Sequence, residues 1–413
     1  LLNTVHPLKR FVYQTVRLVT KDGTHCLEAE IRPRKGSKPR CSGCGRACAG
    51  YDRMVTARRF AFIPLWNIPV CLLYAMRRVD CPDCGVKVEQ IPWANGKHAT
   101  CNVFRHFLAT WARRLSWTET ARCFQSSWDT VRRSVQWVVA YGLKNRDLED
   151  IEALGVDEVA YSRGHHYLTL VYQIDQGAKR LLGVIEGRKI ESLASFFTDF
   201  GRRRCDAIKV VCSDMWQPYL KVIAERLPNA LNVLDRFHVV KKLGEAVDRV
   251  RKDEAARLHR EGYEPVLKKS KFCFLKRPGN LTPGQADKLA EVLQYDLKTT
   301  RAYYLKEAFD AFWQYRSPHW ARWFLRKWCA RAMRSRLEPF KSFVRTLREH
   351  EELLMNYFRA GGVYSCGIVE GLNLKVKLGI RKAFGYRSVE LLKTALFHEL
   401  GELPEPKFTH RFC

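Results

Sequence analysis

The chain has 413 residues, of which 46% are hydrophobic and 12% aromatic, enough to bury a sizeable core spread over about two to four domains. Its 72 Lys and Arg exceed its 43 Asp and Glu by a net charge of +29, which favours a polyanionic partner, with nucleic acid as first choice. No apolar run approaches the roughly 20 residues of a membrane span, and the N-terminal residues lack the pattern of a signal peptide, so we expect a cytoplasmic protein without a membrane partner.

The chain has 15 cysteines, and four of them lie in two short motifs that predict a metal site. This site falls within an N-terminal domain predicted for residues 1–101. "CSGCG" and "CPDCG" each place two thiolates on one tight turn, where both reach the same Zn²⁺, and the following glycine tolerates the turn. With strand-like segments between them, the motifs predict a structural zinc ribbon. The predicted ligands are Cys41, Cys44, Cys81 and Cys84. Cys48 is the alternative ligand, and two chance turns with buried thiols are the alternative to a metal site.

Residues 102–150 predict a helical domain. A short helix, a turn at residues 125–127 and a second helix over residues 128–141 follow the pattern of a helix-turn-helix, with the second helix as the recognition helix. Arg132 and Arg133 point away from the valine face of that helix, so they are our candidates for DNA contacts. A plain helical hairpin is the alternative.

Residues 151–235 predict the first part of an α/β catalytic domain. Three strands followed by helix, strand, helix and strand give the element order of a ribonuclease H-like fold. Asp157 lies in the first strand and Asp214 ends the fourth, so neighbouring strands would place the two carboxylates side by side. Like charges at that distance favour a bound cation, and Mg²⁺ prefers oxygen ligands. Glu158 is expected on the opposite face, and His238 is expected to be a hydrogen-bonded structural histidine.

A third acid lies in a predicted helix that begins at Ser365 or Gly367 and runs to about residue 382. Four of its polar residues are spaced by three, four and four positions, so we expect them to share one face. These residues are Glu370, Asn373, Lys377 and Arg381. A carboxylate followed by an amide, an ammonium and a guanidinium suits a metal-bound phosphate with further DNA phosphates beyond it. An exposed helix face with ordinary charge pairs is the alternative.

Residues 236–362 separate these acids and predict an all-α insertion, after which residues 363–413 are expected to complete the catalytic domain. Ten Lys or Arg fall between residues 316 and 348, in a region that also carries four tryptophans. The tryptophans are Trp313, Trp320, Trp323 and Trp328. Stacking on bases or sugars beside phosphate-binding arginines is one interpretation, and an amphipathic helix with Trp inside and Arg outside is the other.

The chain resembles the bacterial insertion-sequence transposases of the ISL-three family over nearly its whole length. The resemblance rests on the two cysteine motifs and on "GVDEVAYSRGHHYLTLVYQID", "VVCSDMWQPYLKVI", "LPNALNVLDRFHVVKKLGEAVDRVR" and "GIVEGLNLKVKLGIRKAFGYRS". It implies a zinc ribbon, a helix-turn-helix and a DDE transposase domain whose acids are Asp157, Asp214 and Glu370. These acids would hold two Mg²⁺ ions, with Mn²⁺ as a substitute, and Asp235 in "DRFH" is the alternative second acid.

The resemblance also implies the activity of a DNA transposase acting in the bacterial cytoplasm. Such an enzyme binds the terminal inverted repeats of its own element as a dimer or higher oligomer, then cleaves the DNA and joins it to a target. A non-catalytic zinc-ribbon and helix-turn-helix regulator derived from a transposase is the alternative, and a ribonuclease H-like nuclease that cuts without joining is another.

Overall fold

A computed structural model describes residues 2–21, 23–162, 164–361, 367–383 and 385–407. The chain forms two compact units. The terminal unit combines Leu1–Asp147 with Lys382–Cys413, and the central unit comprises Leu148–Arg381. Across the described ranges, no helix has the length and apolar character needed to cross a membrane.

The bounds of the regular elements are as follows. The strands are β1 (Phe11–Lys21), β2 (Thr24–Pro33), β3 (Ala49–Arg53), β4 (Arg58–Leu65), β5 (Ile68–Tyr74), β6 (Arg77–Cys81), β7 (Gly85–Val88), β8 (Ala153–Ser162), β9 (His166–Asp175), β10 (Ala178–Glu186), β11 (Val210–Ser213) and β12 (Leu231–Leu234). The helices are α1 (Leu2–Val5), α2 (Asn102–Ala112), α3 (Trp117–Cys123), α4 (Trp128–Asn145), α5 (Ile190–Phe200), α6 (Arg202–Ala207), α7 (Gln217–Arg226), α8 (Arg236–Arg260), α9 (Lys271–Leu275), α10 (Pro283–Leu293), α11 (Lys298–Asp310), α12 (Pro318–Arg334), α13 (Glu338–Glu349), α14 (Glu351–Arg359), α15 (Gly367–Lys382) and α16 (Val389–Leu400). Short 3₁₀ helices cover Pro278–Asn280 and Ala311–Gln314.

The terminal unit contains two sheets. A four-stranded sheet has the order β1-β2-β5-β4, and a three-stranded sheet has the order β3-β6-β7. Val70, Leu72 and Tyr74 alternate along β5 and point into the core, as expected for a strand with one buried face. The Tyr74 ring meets Trp93 edge to face at a centroid distance of 5.3 Å, so aromatic packing joins the larger sheet to the chain that leads into α2.

The segment between the cysteine pairs differs from our prediction. We assigned it to the zinc ribbon, but β4 and β5 form a hairpin in the four-stranded sheet, where β5 pairs with β2. Of the strands between the cysteine pairs, β3 and β6 enter the three-stranded sheet that carries the cysteines. The reason is burial, because the apolar residues that alternate along β4 and β5 need a core larger than the small cysteine cluster provides.

Both helices that we predicted around the turn at residues 125–127 are present as α3 and α4. Ser116 and Glu119 form a capping box at the start of α3, and the Ser127 side chain accepts a hydrogen bond from the backbone N–H of Thr130 at the start of α4. Between them, Gln125 has a positive φ of 47°, which turns the chain sharply. The valine face of α4 is buried, as predicted.

We predicted that residues 363–413 complete the catalytic domain; in the structure the chain from Lys382 onward clusters with the terminal unit. There α16 packs against α4, and a Cβ on Gly142 of α4 would lie 2.5 Å from the Cβ of Leu403. The carboxylate of Glu405 lies 2.8 Å from the His106 ring and 2.6 Å from the Arg113 guanidinium, and these two partners lower its pKa to about 2. These long-range contacts hold the C-terminal segment in the terminal unit.

The central unit is built on a five-stranded sheet with the order β10-β9-β8-β11-β12. The first three strands of the chain, β8 to β10, are antiparallel neighbours, while β11 and β12 run parallel to β8. One face of this sheet packs against α5 and α7, with Val156 and Val171 facing Phe196 and Phe197. The element order predicted for residues 151–235 is therefore present, with α6 as an addition.

Helices α8 to α14 form the predicted all-α segment around a large core of their own. The tryptophans divide between our two interpretations. Trp313 and Trp328 are buried, and the indole N–H of Trp328 donates to the Leu305 carbonyl at 2.9 Å. Trp320 and Trp323 are 56% and 50% exposed, so the amphipathic interpretation holds only for the buried pair.

Candidate active site

Three aspartates lie in one row across three neighbouring parallel strands, level with the carboxyl ends of the two shorter strands. Asp157 lies in β8, Asp214 follows β11, and Asp235 follows β12. The register pairs Gly155 with Cys212 and the last residue of β11 with the last residue of β12, so the three positions are level across the sheet. We predicted Asp235 only as an alternative to Asp214, whereas parallel pairing brings both to the same edge.

His238 lies between two of these acids. Its Nδ1 is 3.2 Å from Asp214 Oδ1, and its Nε2 is 3.6 Å from Asp235 Oδ2. Asp235 caps the N-terminus of α8 by accepting a hydrogen bond from the Phe237 N–H, and the imidazole follows one helical turn later. The histidine therefore lies within ion-pair distance of an acid on either side.

Helix α15 covers the other side of β8 at very short range. A Cβ on Gly155 would lie only 2.3 Å from Val369 Cγ2, so a glycine is needed where the helix crosses the strand. Val369, Leu372 and Val376 are buried along this contact. Residues 362–366, including Ser365, lie outside the described residues, and the helix is described from Gly367.

Asn373 corrects our prediction for the polar face of α15. We placed it on an exposed DNA-binding stripe, but its side chain is 3% exposed and joins the acid site. Its amide Nδ2 donates to Asp157 Oδ2, and its Oδ1 accepts a hydrogen bond from the Tyr172 hydroxyl at 2.7 Å. Its position four residues after Val369 places it on the sheet-facing side of the helix. Glu370, Lys377 and Arg381 are exposed, as predicted.

Burial and mutual repulsion dominate the electrostatics of the site. Burial, together with the neighbouring Asp214 and Asp235, raises the pKa of Asp157 to about 6. His238 and the Glu158 N–H, which donates to Asp157 Oδ1 at 2.7 Å, oppose this rise. Burial likewise raises the pKa of Asp235, and Glu370 and Asp214 act in the same direction. The carboxylates of Asp157, Asp214, Asp235 and Glu370 therefore lie in one negatively charged region, which favours the binding of a cation.

The acids converge less tightly than the cysteines do. Across the described residues, the cysteine motifs form the one group of three or more His, Cys, Asp or Glu whose ligand atoms all lie within 4.8 Å of one another. The carboxylate oxygens of Asp157, Asp214 and Glu370 are therefore not all within 4.8 Å of one another, although these residues gather at one end of the central sheet. Their oxygen donors, with no sulfur among them, fit Mg²⁺ or Mn²⁺ by ligand type.

Glu158 faces away from this cluster. Its side chain lies on the α7 side of the sheet, 3.8 Å from Arg188, because successive residues of a strand point to opposite faces. Arg188 in turn lies over the Tyr167 ring at 4.4 Å. Tyr172, which sequence reasoning missed, lies on the Asp157 side together with Asn373, which we predicted on the polar stripe of the helix. Tyr172 pairs with Gly155 across β9 and β8. A register predicted for these two strands would have placed the tyrosine close to Asp157.

Replacement of Gly155 by alanine should displace α15 and reduce the DNA cleavage that the sequence resemblance predicts for this site. The added methyl would collide with Val369, so we expect a loss of about 1–3 kcal/mol in stability and a larger fall in activity as the helix carrying Glu370 moves. Thermal unfolding and a cleavage assay measure the two effects.

The control for this prediction is Gly183→Ala, which would crowd Phe196 of α5 at 2.6 Å on the opposite face without touching α15. It should destabilise while sparing activity at permissive temperature. Adding Val369→Ala to Gly155→Ala should restore cleavage. Equal activity losses in the two alanine variants would contradict the proposed role of the α15 contact.

The predicted four-cysteine cluster is confirmed. The sulfur atoms of Cys41, Cys44, Cys81 and Cys84 lie within 4.8 Å of one another. Cys44 and Cys81 are 3.6 Å apart, close to the roughly 3.8 Å expected between sulfurs of a tetrahedral site with Zn–S bonds of about 2.3 Å. Burial raises the pKa of Cys81, but backbone N–H donors from Asp83 and Cys84 and contacts with the other thiols outweigh it and lower that pKa to about 7. Cys48 is buried beside the cluster but is not one of the four.

The predicted arginines lie in the first turns of α4. Arg132 donates to Asp129 and, at 2.9 Å, to Gln136, whereas Arg133 lies 2.9 Å from the other Asp129 oxygen and is more exposed. One acid therefore holds both guanidinium groups at the N-terminal end of the helix. This placement suits a surface on which DNA phosphates could replace the Asp129 contacts.

Comparison with known proteins agrees with this organisation. A family described as transposase matches residues 154–396, which include the aspartate row and α15. The transposase for insertion sequence element IS1001 of Bordetella parapertussis is 30% identical over 353 residues, which are 85% of this chain and 86% of the relative. The transposase for insertion sequence element IS1557 of Mycobacterium tuberculosis (strain CDC 1551 / Oshkosh) is 30% identical over 408 residues, which are 93% of this chain and 90% of the relative. The chain therefore belongs to the ISL-three family of insertion-sequence transposases.

Proposed function

We propose that this transposase binds the terminal inverted repeats of its own element, cleaves the DNA there and joins the freed ends to target DNA. The observation that carries the proposal is the row of Asp157, Asp214 and Asp235 on three neighbouring strands, with Glu370 on the helix that crosses the first of them. The strand order, three antiparallel strands followed by two parallel ones on the far side of the first, supports a ribonuclease H-like DDE domain.

Asp157, Asp214 and Glu370 would hold the catalytic Mg²⁺ ions, and Asp235 with His238 would position Asp214 from the adjacent strand. When bound, the metal supplies Lewis-acid activation of the attacking oxygen and neutralises charge on the scissile phosphate. Mn²⁺ should substitute because it also accepts oxygen ligands, whereas Ca²⁺ should permit DNA binding with little chemistry.

The chain's own residues orient this site. Asn373 fixes one oxygen of Asp157 by hydrogen bonding, and Tyr172 fixes the orientation of the Asn373 amide. Lys377 and Arg381 lie one and two further turns along the exposed side of α15 from the active-site residues, where they would contact DNA phosphates. Each residue thus acts by binding or positioning, and no covalent link between protein and DNA is required.

The remaining partners follow from the same proposal. The cysteine cluster would hold structural Zn²⁺, because its four sulfurs have the spacing of a tetrahedral site. Helices α3 and α4 would act as a helix-turn-helix on double-stranded DNA. Two element ends must be held together for joining, so we expect at least a dimer on DNA, acting in the bacterial cytoplasm.

The direct test is a strand-transfer assay with purified protein, labelled element ends, Mg²⁺ and a supercoiled target plasmid. We expect nicked or cleaved ends and covalently joined products that depend on the divalent metal. Cleavage without joining would favour a nuclease, and binding without either product would favour a regulator derived from a transposase.

Replacement of Arg132 and Arg133 by alanine should weaken binding to the element ends. Each lost phosphate contact should reduce the slope of log affinity against log salt concentration by about one unit. Lys144→Ala, at the far end of α4, is the control and should have the smaller effect. Unchanged affinity and salt slope in the double variant would show that recognition lies elsewhere in the chain.

A further inference from the structure

The turn between β4 and β5 carries a tryptophan whose side chain is not buried in the core. Trp66 is 87% exposed, and Leu65 pairs with Ile68, so Trp66 and Asn67 form a two-residue turn. Both have positive φ, 50° and 64°, a turn geometry that favours Asn or Gly. A bulky residue at positive φ is an outlier, and this one contributes no burial in return. Such an outlier points to a role outside the chain's own packing.

This turn is tied to the turn of the helix-turn-helix. The Gln125 side-chain amide donates to the Asn67 carbonyl at 2.7 Å and to its side-chain oxygen at 3.3 Å. Gln125 lies two residues before Ser127, the cap of α4. Pro64 and Pro69 flank the tip and restrict the backbone on either side. The turn that carries Trp66 is therefore hydrogen-bonded to the turn that precedes α4.

The surroundings suit DNA. Residues 102–146 carry eight Lys or Arg against two acids, Glu119 and Asp129, and residues 58–74 of the hairpin carry two arginines and no acid. Double-stranded DNA is attracted to such a surface through its phosphates. If the start of α4 enters the major groove, the hairpin turn joined to the turn before α4 would lie next to the same duplex. Apolar side chains on such an element can wedge between base pairs in the adjoining minor groove.

We propose that Trp66 is a DNA-bending wedge, which inserts at a base step in the minor groove next to the groove contacted by α4. The inference rests on the proposed recognition of element ends, and it adds a second part of the protein that contacts DNA bases. It assigns to the exposed tryptophan a contact with bases rather than with another protein.

The test compares full-length wild type with Trp66→Asn on a duplex from the element end that carries 2-aminopurine at successive positions. Asn accepts positive φ, so the variant should fold at least as well as the wild type. Wild type should raise 2-aminopurine fluorescence at one step beside the α4 footprint. Trp66→Asn should lose that signal and bind about ten-fold more weakly. Val55→Asn, at an exposed apolar position three residues before β4, is the control and should match the wild type.

The possible outcomes separate this inference from the proposed function. Equal affinity and equal fluorescence for wild type and Trp66→Asn overturn the wedge alone. The wedge is also overturned if Trp66→Asn loses self-association while its DNA affinity and 2-aminopurine fluorescence stay unchanged. The turn would then contact a second copy of the protein. Wild type that fails to prefer the element end over a scrambled duplex overturns end recognition, and the wedge with it.

Discussion

Replacement of Cys84 by serine should release the metal from the cysteine cluster and unfold the sheet β3-β6-β7. The buried core around this sheet consists of Cys41, Cys48, Val79 and Cys81, which is too little apolar surface to hold three short strands. A structural zinc ion contributes about 10–16 kcal/mol in small zinc-finger peptides, so its loss should be decisive here. Metal analysis, zinc release to a chromogenic chelator and circular dichroism measure the effect.

Cys48→Ser is the matched control, since this thiol is buried beside the cluster but is not one of the four clustered sulfurs. It should keep one zinc per chain. The four-stranded sheet should survive in both variants because it packs in a separate core with α2 and α4. Wild-type protein without zinc, or a Cys84→Ser variant that retains it, would contradict the assignment.

The central sheet illustrates how much the sequence determines locally. Runs of mostly apolar residues define β8 to β10, and the shorter apolar runs before Asp214 and Asp235 define β11 and β12. Because the ends of parallel strands meet at one edge, convergence of the aspartates could be predicted from the element order alone. The same reasoning applied to Asp235 would have placed it beside Asp214 rather than in competition with it.

Features that depend on contacts distant in sequence could not be predicted in this way. The hairpin β4–β5 joins β2 because the larger core is there, and the chain after Lys382 returns to α4. Helical spacing showed which residues of α15 share a side but not how the helix is rotated on the sheet. Gly155 determines that rotation, since it admits Val369 and so brings Asn373 onto Asp157.

Asp157→Asn should abolish both cleavage and joining while the protein keeps its fold and binds element ends. The variant side chain has the same shape, and it can still accept from the Glu158 N–H through its remaining oxygen. If the Asn373 amide turns over, its oxygen accepts from the new amide and its nitrogen donates to the Tyr172 hydroxyl, so the network survives. What is lost is the negative charge, and one charge-dependent site serves both chemical steps. Cleavage and joining measured on labelled ends provide the readout.

Stability provides an independent check in metal-free buffer with a chelator. Because burial and neighbouring acids raise the pKa of Asp157 to about 6, its ionised form destabilises the folded protein above that pH. Asp157→Asn should therefore unfold at a temperature no lower than the wild type at pH 8. Below pH 6 the wild-type carboxyl binds its proton more readily in the folded than in the unfolded state. The difference in unfolding temperature between Asp157→Asn and the wild type should therefore shrink as the pH falls towards 4.

Glu158→Gln is the matched control for catalysis, because it neutralises the adjacent acid on the opposite face of the same strand. It should cleave and join at close to the wild-type rate. Asp214→Asn and Asp235→Asn in the same assay determine which of the two neighbouring aspartates is essential. Wild-type cleavage by Asp157→Asn, or equal losses in Asp157→Asn and Glu158→Gln, would contradict the DDE assignment, because of these two acids only Asp157 has its carboxylate on the α15 side of β8, in contact with Asn373.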